Sequence, residues 1–127
     1  MKKYSDSAIY KIMTDAGINL SWAVLTDRNI RHKFVTDNGK RIILSITHDG
    51  KNKANRDWRF NFQNRPESSF DFAVCCLSSD IGGGQYTRLF VFPAEIIAGR
   101  IITLTPHTLN TGRYDFFVEN WDLIKGS

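Results

Sequence analysis

The 127-residue chain has only two cysteines, three prolines and three histidines. Each scarcity excludes a class of explanation. Cys75 and Cys76 are adjacent within an apolar run, so an extended backbone points them to opposite faces and a mutual disulfide would be strained. Buried free thiols are the expectation. His32, His48 and His107 stand at unrelated spacings, with none of the intervals of a zinc motif. No serine or cysteine is marked out by sequence as a nucleophile with an oriented base beside it. Gly82-Gly83-Gly84 is not followed by a lysine–hydroxyl pair, and the next element reads as a strand, so a phosphate-binding loop is rejected. No apolar run approaches the roughly 20 residues of a membrane-crossing helix. The start, Met1-Lys2-Lys3-Tyr4-Ser5-Asp6, lacks the apolar core of a signal peptide, and a cytoplasmic location is expected.

What is present is the composition of a folded domain: 42% apolar residues, 24% charged and 13% aromatic. At this length one domain, spanning residues 1–127, is expected to bury about two-thirds of the surface its unfolded chain exposes. Charge is unevenly placed. Between Arg28 and Arg65 ten basic residues stand against three acidic ones, Asp37, Asp49 and Asp57. That segment carries +7 of a net +4, which leaves −3 elsewhere. Such asymmetry suits a nucleic acid or another polyanion. The competing explanation is that these side chains solvate strand edges and blunt them against aggregation.

Periodicity supplies the elements. Ser5 or Ser7 can cap a helix whose apolar positions Ile9, Ile12, Met13 and Ala16 recur at i, i+3, i+4 and i+7, with Gly17 as its exit. Leu20–Thr26, Ile30–Thr36 and Arg41–Thr47 read as strands, the last two joined by Asp37-Asn38-Gly39, a strong hairpin signal. In the third, Ile42, Leu44 and Ile46 share one face and Arg41, Ile43, Ser45 and Thr47 the other. A polar loop from His48 to Arg56 leads to Trp58–Gln63, where Trp58, Phe60 and Phe62 oppose Arg59, Asn61 and Gln63. Phe70–Leu77 is apolar on both faces, as a covered central strand is. Tyr86–Phe92 follows as its hairpin partner. Pro93 opens a short helical turn ended by Gly99, Ile101–Leu104 is a brief strand, and Tyr114, Phe117, Val118 and Trp121 predict a last helix docked on the sheet. The fold class is α+β: a central antiparallel or mixed sheet of about five to seven strands, flanked by an N-terminal helix, a short helix and a C-terminal helix.

This succession resembles the PD-(D/E)xK, or restriction-endonuclease-like, nucleases. The likeness lies in a strand ending near Phe34, a hairpin, the strand Arg41-Ile42-Ile43-Leu44-Ser45-Ile46-Thr47, a charged loop and Trp58-Arg59-Phe60. It continues through Phe70-Asp71-Phe72-Ala73-Val74, Arg88-Leu89-Phe90-Val91-Phe92-Pro93-Ala94-Glu95 and Phe117-Val118-Glu119-Asn120-Trp121-Asp122-Leu123-Ile124. The resemblance implies an aspartate on one strand and a (Glu/Asp/Gln)-x-Lys triplet on the next, together holding magnesium. This chain departs from both, with His32-Lys33 and Ser45-Ile46-Thr47 at those places. It resembles a degenerate member without the catalytic motif.

Three functions follow. The first is a small non-catalytic nucleic-acid- or partner-binding module, with Lys40, Arg41, Lys51, Lys53, Arg56 and Arg59 on DNA or RNA phosphates and Asn61 and Gln63 beside Arg59. No catalytic residue, resident metal or cofactor is expected under it. The second is a metal-dependent DNA endonuclease with a displaced ligand set, Asp37, Asp49 and Asp57, using magnesium. The loop containing His48, Asp49 and Asp57 is better explained as an Asp-Gly turn in a solvated charged loop. The third is a protein-interaction or small-ligand domain, for instance a homodimer burying the Arg59-Asn61-Gln63 face.

Overall fold

The computed structural model describes residues 5–23, 32–48, 58–79, 86–105, 108 and 111–126. The expected turn at Asp27-Arg28-Asn29, the loop carrying Lys51, Lys53 and Arg56, the triple glycine and His107 lie outside the described residues. Helix α1 spans Asp6–Asp15, with Ser5 as N-cap: its Oγ accepts from the Ala8 N–H at 3.1 Å. This meets one of the four donors that a helix start leaves without a partner. Gly17, at φ +94°, takes the left-handed conformation after the helix, which glycine adopts without a steric cost.

Five strands form one mixed sheet: β1 (Leu20–Trp22), β2 (Phe34–Thr36), β3 (Arg41–His48), β5 (Phe72–Ser79) and β6 (Tyr86–Pro93), in the order β1-β2-β3-β5-β6. Adjacent strands run antiparallel except β3 and β5, which are parallel from Ile42↔Phe72 to His48↔Ser78. The strand between them in sequence, β4 (Trp58–Asn61), leaves this sheet and pairs antiparallel with β7 (Ile101–Leu104). The order is therefore less hairpin-linked than expected. Two parallel neighbours need a crossover, and the segment containing β4 provides it.

The strands place apolar residues on both faces of the sheet. Ile9, Met13, Phe34, Ile42, Phe72, Val74, Cys76 and Val91 pack together with Ile124 on one side. On the other, Ile43, Ala73, Cys75, Leu77, Phe90 and Phe92 pack against Trp58, Phe60, Ile102 and Leu104 of the β4–β7 ribbon and against Ala94 and Ile97. The latter two belong to the short helix α2 (Ala94–Ile97). Strand β5 is the central strand its sequence predicts, buried on both sides. Its adjacent thiols point into opposite layers, are both free and are both buried. Burial raises both, with the Cys76 charge adding to Cys75 and a Ser78 hydrogen bond offsetting part of the effect at Cys76. Neither thiol is primed for chemistry.

The C-terminal helix is shorter than expected. Asp115–Phe117 is a single 3₁₀ turn, Val118 bridges to Phe90, and only α3 (Asp122–Lys125) is α-helical. Glu119 sits at φ +45°, a left-handed conformation that ends a right-handed helix. The aromatic spacing fits one helical stripe, yet Tyr114 and Phe117 pack on the ribbon side while Trp121 and Leu123 pack on the side of α1. A single straight helix could not serve both layers.

Candidate nucleic-acid interface

The β4–β7 ribbon brings two of the five described candidate residues, Arg59 and Asn61, onto one surface. Trp58 opposes Leu104 and Phe60 opposes Ile102, all four buried, while Arg59 opposes Thr103 and Asn61 opposes Ile101 on the outer face. Alternation along a strand enforces this division, because successive side chains point to opposite faces. Burial of each inner side chain is worth about 1.5–3 kcal/mol, so the apolar face holds the ribbon against the sheet and fixes which residues point outward. Arg59 and Asn61 are exposed, Thr103 is half-buried, and Ile101 retains 40% of its surface in solvent. Arg100, next to Ile101, is exposed as well. No carboxylate occurs at any ribbon position.

Gln63 is not on the strand. β4 ends at Asn61, and Gln63 lies in the turn that follows, where its N–H donates to Asn61 Oδ1 at 2.9 Å. The strand stops short of Phe62, whose N–H donates to the Arg100 carbonyl at 2.8 Å and whose C=O accepts from the Gly99 N–H at 3.0 Å, both in the α2–β7 connection. One side-chain oxygen of Asn61 is thus held by backbone, which orients its amide on the outer face.

Lys40 and Arg41 stand elsewhere, at the start of β3. Asp71 Oδ2 accepts from the Arg41 backbone N–H at 2.7 Å and from its Nε at 3.2 Å, and the Ser68 carbonyl accepts from Arg41 Nη1 at 2.8 Å. Arg41 therefore clamps the start of β3 to the turn before β5, at the point where the parallel pairing begins. Burial pushes the Asp71 carboxyl up, but the Arg41 hydrogen bonds and charge, with Lys40 adding to them, hold it below the usual carboxylate range. Lys40 lines a recess together with Glu67, Asp71 and Glu95, where carboxylates offset its field. Nearby His32 is half-buried, and burial followed by the Arg41 charge lowers it, against the opposing effect of Asp71.

Other cations are paired off as well: Lys33 Nζ lies 3.4 Å from Asp6 and Arg88 Nη1 lies 3.8 Å from Asp115. Among the described residues no group of three or more histidine, cysteine, aspartate or glutamate side chains converges to hold a metal. Asp37 sits in the β2–β3 turn, its Oδ2 accepting from Asn19 Nδ2 at 3.3 Å. The other two aspartates of the displaced ligand set, Asp49 and Asp57, lie outside the described residues.

Sequence reasoning missed Ile101, Thr103 and Arg100 as members of this surface. Their strand was recognised, but its pairing with β4 spans about 40 residues and carries no turn signal. The alternation of Ile102 and Leu104 with Ile101 and Thr103 was the available hint.

The mixed sheet with one pair of parallel strands, α1 and α3 on one side and the ribbon with α2 on the other, defines an α+β domain. No protein-family model matches the chain, and no curated protein does. Among solved structures it is similar to a bacterial homing endonuclease, I-Ssp6803I, with 19% identity over 93% of this chain and 83% of that one and a TM-score of 0.57. At that identity the likeness is one of fold. No helix among the described residues is long and apolar enough to cross a membrane.

Proposed function

We propose that this chain is a non-catalytic nucleic-acid-binding module on a nuclease-like fold, of the degenerate PD-(D/E)xK kind, and that the outer face of the β4–β7 ribbon is its contact surface. The observation that carries this is the pairing of Arg59 with Thr103 and Asn61 with Ile101 on an exposed face without carboxylates. Lys51, Lys53 and Arg56, which precede β4 in sequence, remain in the proposed contact set. Arg41, tied to Asp71 and Ser68, leaves the contact set and becomes a structural residue. The non-catalytic part rests on Ser45 and Thr47 standing on β3, half-buried, where the resembled nucleases carry their acidic-x-Lys triplet. Neither hydroxyl can replace a metal-binding carboxylate at neutral pH.

Fluorescence anisotropy with labelled duplex and single-stranded DNA tests this. Binding is expected at about 50 mM salt and should weaken steeply by about 200 mM as phosphate counterions return. R59A should weaken it, whereas K40A should change it little. No binding at the lower salt refutes the proposal. Magnesium-dependent cleavage that tracks the chain through purification refutes its non-catalytic part and favours an endonuclease.

A further inference from the structure

Resting on the reading above, we infer that the ribbon reads the major groove of B-form duplex DNA, with Arg59 on a guanine and Asn61 on a purine two base pairs away. Three features of the ribbon lead there. The first is its dimensions. Two strands about 4.8 Å apart fit the roughly 12 Å major groove of B-form DNA, which admits a two-stranded ribbon, and with their side chains are too broad for the roughly 6 Å minor groove. The major groove of A-form RNA is too deep and narrow for side chains to read.

The second is spacing. Arg59 and Asn61 are alternate residues of one strand, so their side chains leave the same face about 6.7 Å apart. Base pairs stack at about 3.4 Å, so two residues along the strand correspond to two base-pair steps. The match lets both side chains reach base edges at once.

The third is chemistry. Arg59 has no hydrogen-bond or ion-pair partner among the described residues, and its guanidinium fork suits guanine O6 and N7. Asn61 has Oδ1 committed to the Gln63 N–H, so its Nδ2 is the group left to donate. A purine N7 accepts such a donor. Opposite Asn61 stands Ile101, a branched apolar side chain 40% exposed on an otherwise polar face. The C5-methyl of thymine is the apolar group that the major groove offers it.

The test is selection of bound duplexes from a random library by the intact chain at low salt, followed by anisotropy on the selected and scrambled duplexes. A guanine and a second purine separated by one base pair should emerge. R59A should lose about ten- to hundredfold on the selected duplex and flatten only the guanine position, a range set by one bidentate contact. N61A should flatten only the other. Replacing the selected guanine with 7-deazaguanine, which lacks N7, should weaken the parent chain and leave R59A unaffected. Both residues are exposed, so circular dichroism of the variants should match the parent. Salt-sensitive binding without sequence preference overturns this inference and leaves the proposed function standing. So does a preference that neither variant alters. No binding to any duplex overturns this inference, and no binding to single-stranded DNA as well overturns both.

Discussion

Adjacent residues of β4 should report two different properties, and Phe60→Ala set beside Arg59→Ala makes the comparison. Phe60 is fully buried, opposite Ile102, in the cluster containing Trp58, Phe62, Phe70 and Phe92. Truncating a buried phenylalanine removes its transfer free energy and leaves a cavity, for a loss of about 3–5 kcal/mol. Unfolding entropy near 2.1 cal/mol/K per residue gives a chain of this length about 0.27 kcal/mol/K, so F60A should melt roughly 10–20 °C below the parent. That is a large share of the 5–15 kcal/mol typical of a whole domain. Arg59, on the opposite face and exposed, should move stability by no more than about 0.5 kcal/mol when truncated, yet weaken DNA binding. Differential scanning calorimetry with urea titrations measures the first effect and anisotropy the second. If F60A melted within about 5 °C of the parent with undiminished cooperativity, the ribbon would not be packed on the sheet as described. If R59A melted as low as F60A, Arg59 would be structural and the interface argument would fail.

Two further predictions concern the core of the sheet. Asp71→Asn weakens the acceptor for two Arg41 donors and should cost about 1–2 kcal/mol at neutral pH, read from urea midpoints. Because the folded Asp71 carboxyl titrates below its unfolded value of about 3.9, its contribution is fully present above that value and is lost as the pH falls through the folded one. The gap between parent and D71N should therefore be constant above about pH 5 and close on acidification. A gap that stayed open at pH 2 would rule out the carboxylate as its source. Cys75 and Cys76, buried in opposite layers with raised thiol values, should react with iodoacetamide at pH 8 only when denaturant is added. Rapid labelling of the native chain, followed by mass spectrometry, would contradict the two-sided burial of β5.

The parts of the fold written in local pattern were legible. The Ser5 cap, the Asn38-Gly39 turn, the alternation of β3 and the two-sided apolar run of β5 all have causes within a few residues, and all stand in the structure. The parts decided by distant partners were not. The aromatic spacing from Tyr114 to Trp121 satisfies a helical period, but Val118 finds Phe90 and Glu119 turns left-handed, because the segment must pass from one layer to the other. The alternation of Trp58–Gln63 predicts a longer β4 than the structure has for a similar reason: Phe62 takes its hydrogen bonds from the connection before β7, which no local signal announces.

The candidate site shows the same divide in its charges. Lys40, Arg41 and Arg59 look alike in the sequence as members of one basic segment. Arg41 acquires a structural duty only because β3 and β5 run parallel, which brings the Asp71 turn beside the start of β3. Lys40 is drawn into the same recess with Glu67 and Glu95. Arg59 escapes such pairing because β4 leaves the sheet for a ribbon whose partner strand, Ile101-Ile102-Thr103-Leu104, contains no carboxylate. Topology thus divides a single run of positive charge into cations that hold the fold and cations left to meet a partner. Net charge located the segment, but only strand pairing separates the described cations held by carboxylates from Arg59 on the open face. Exchanging the two roles therefore requires more than charge: an arginine added near Asp71 would be neutralised, whereas one in place of Thr103 would stand on the open face beside Arg59.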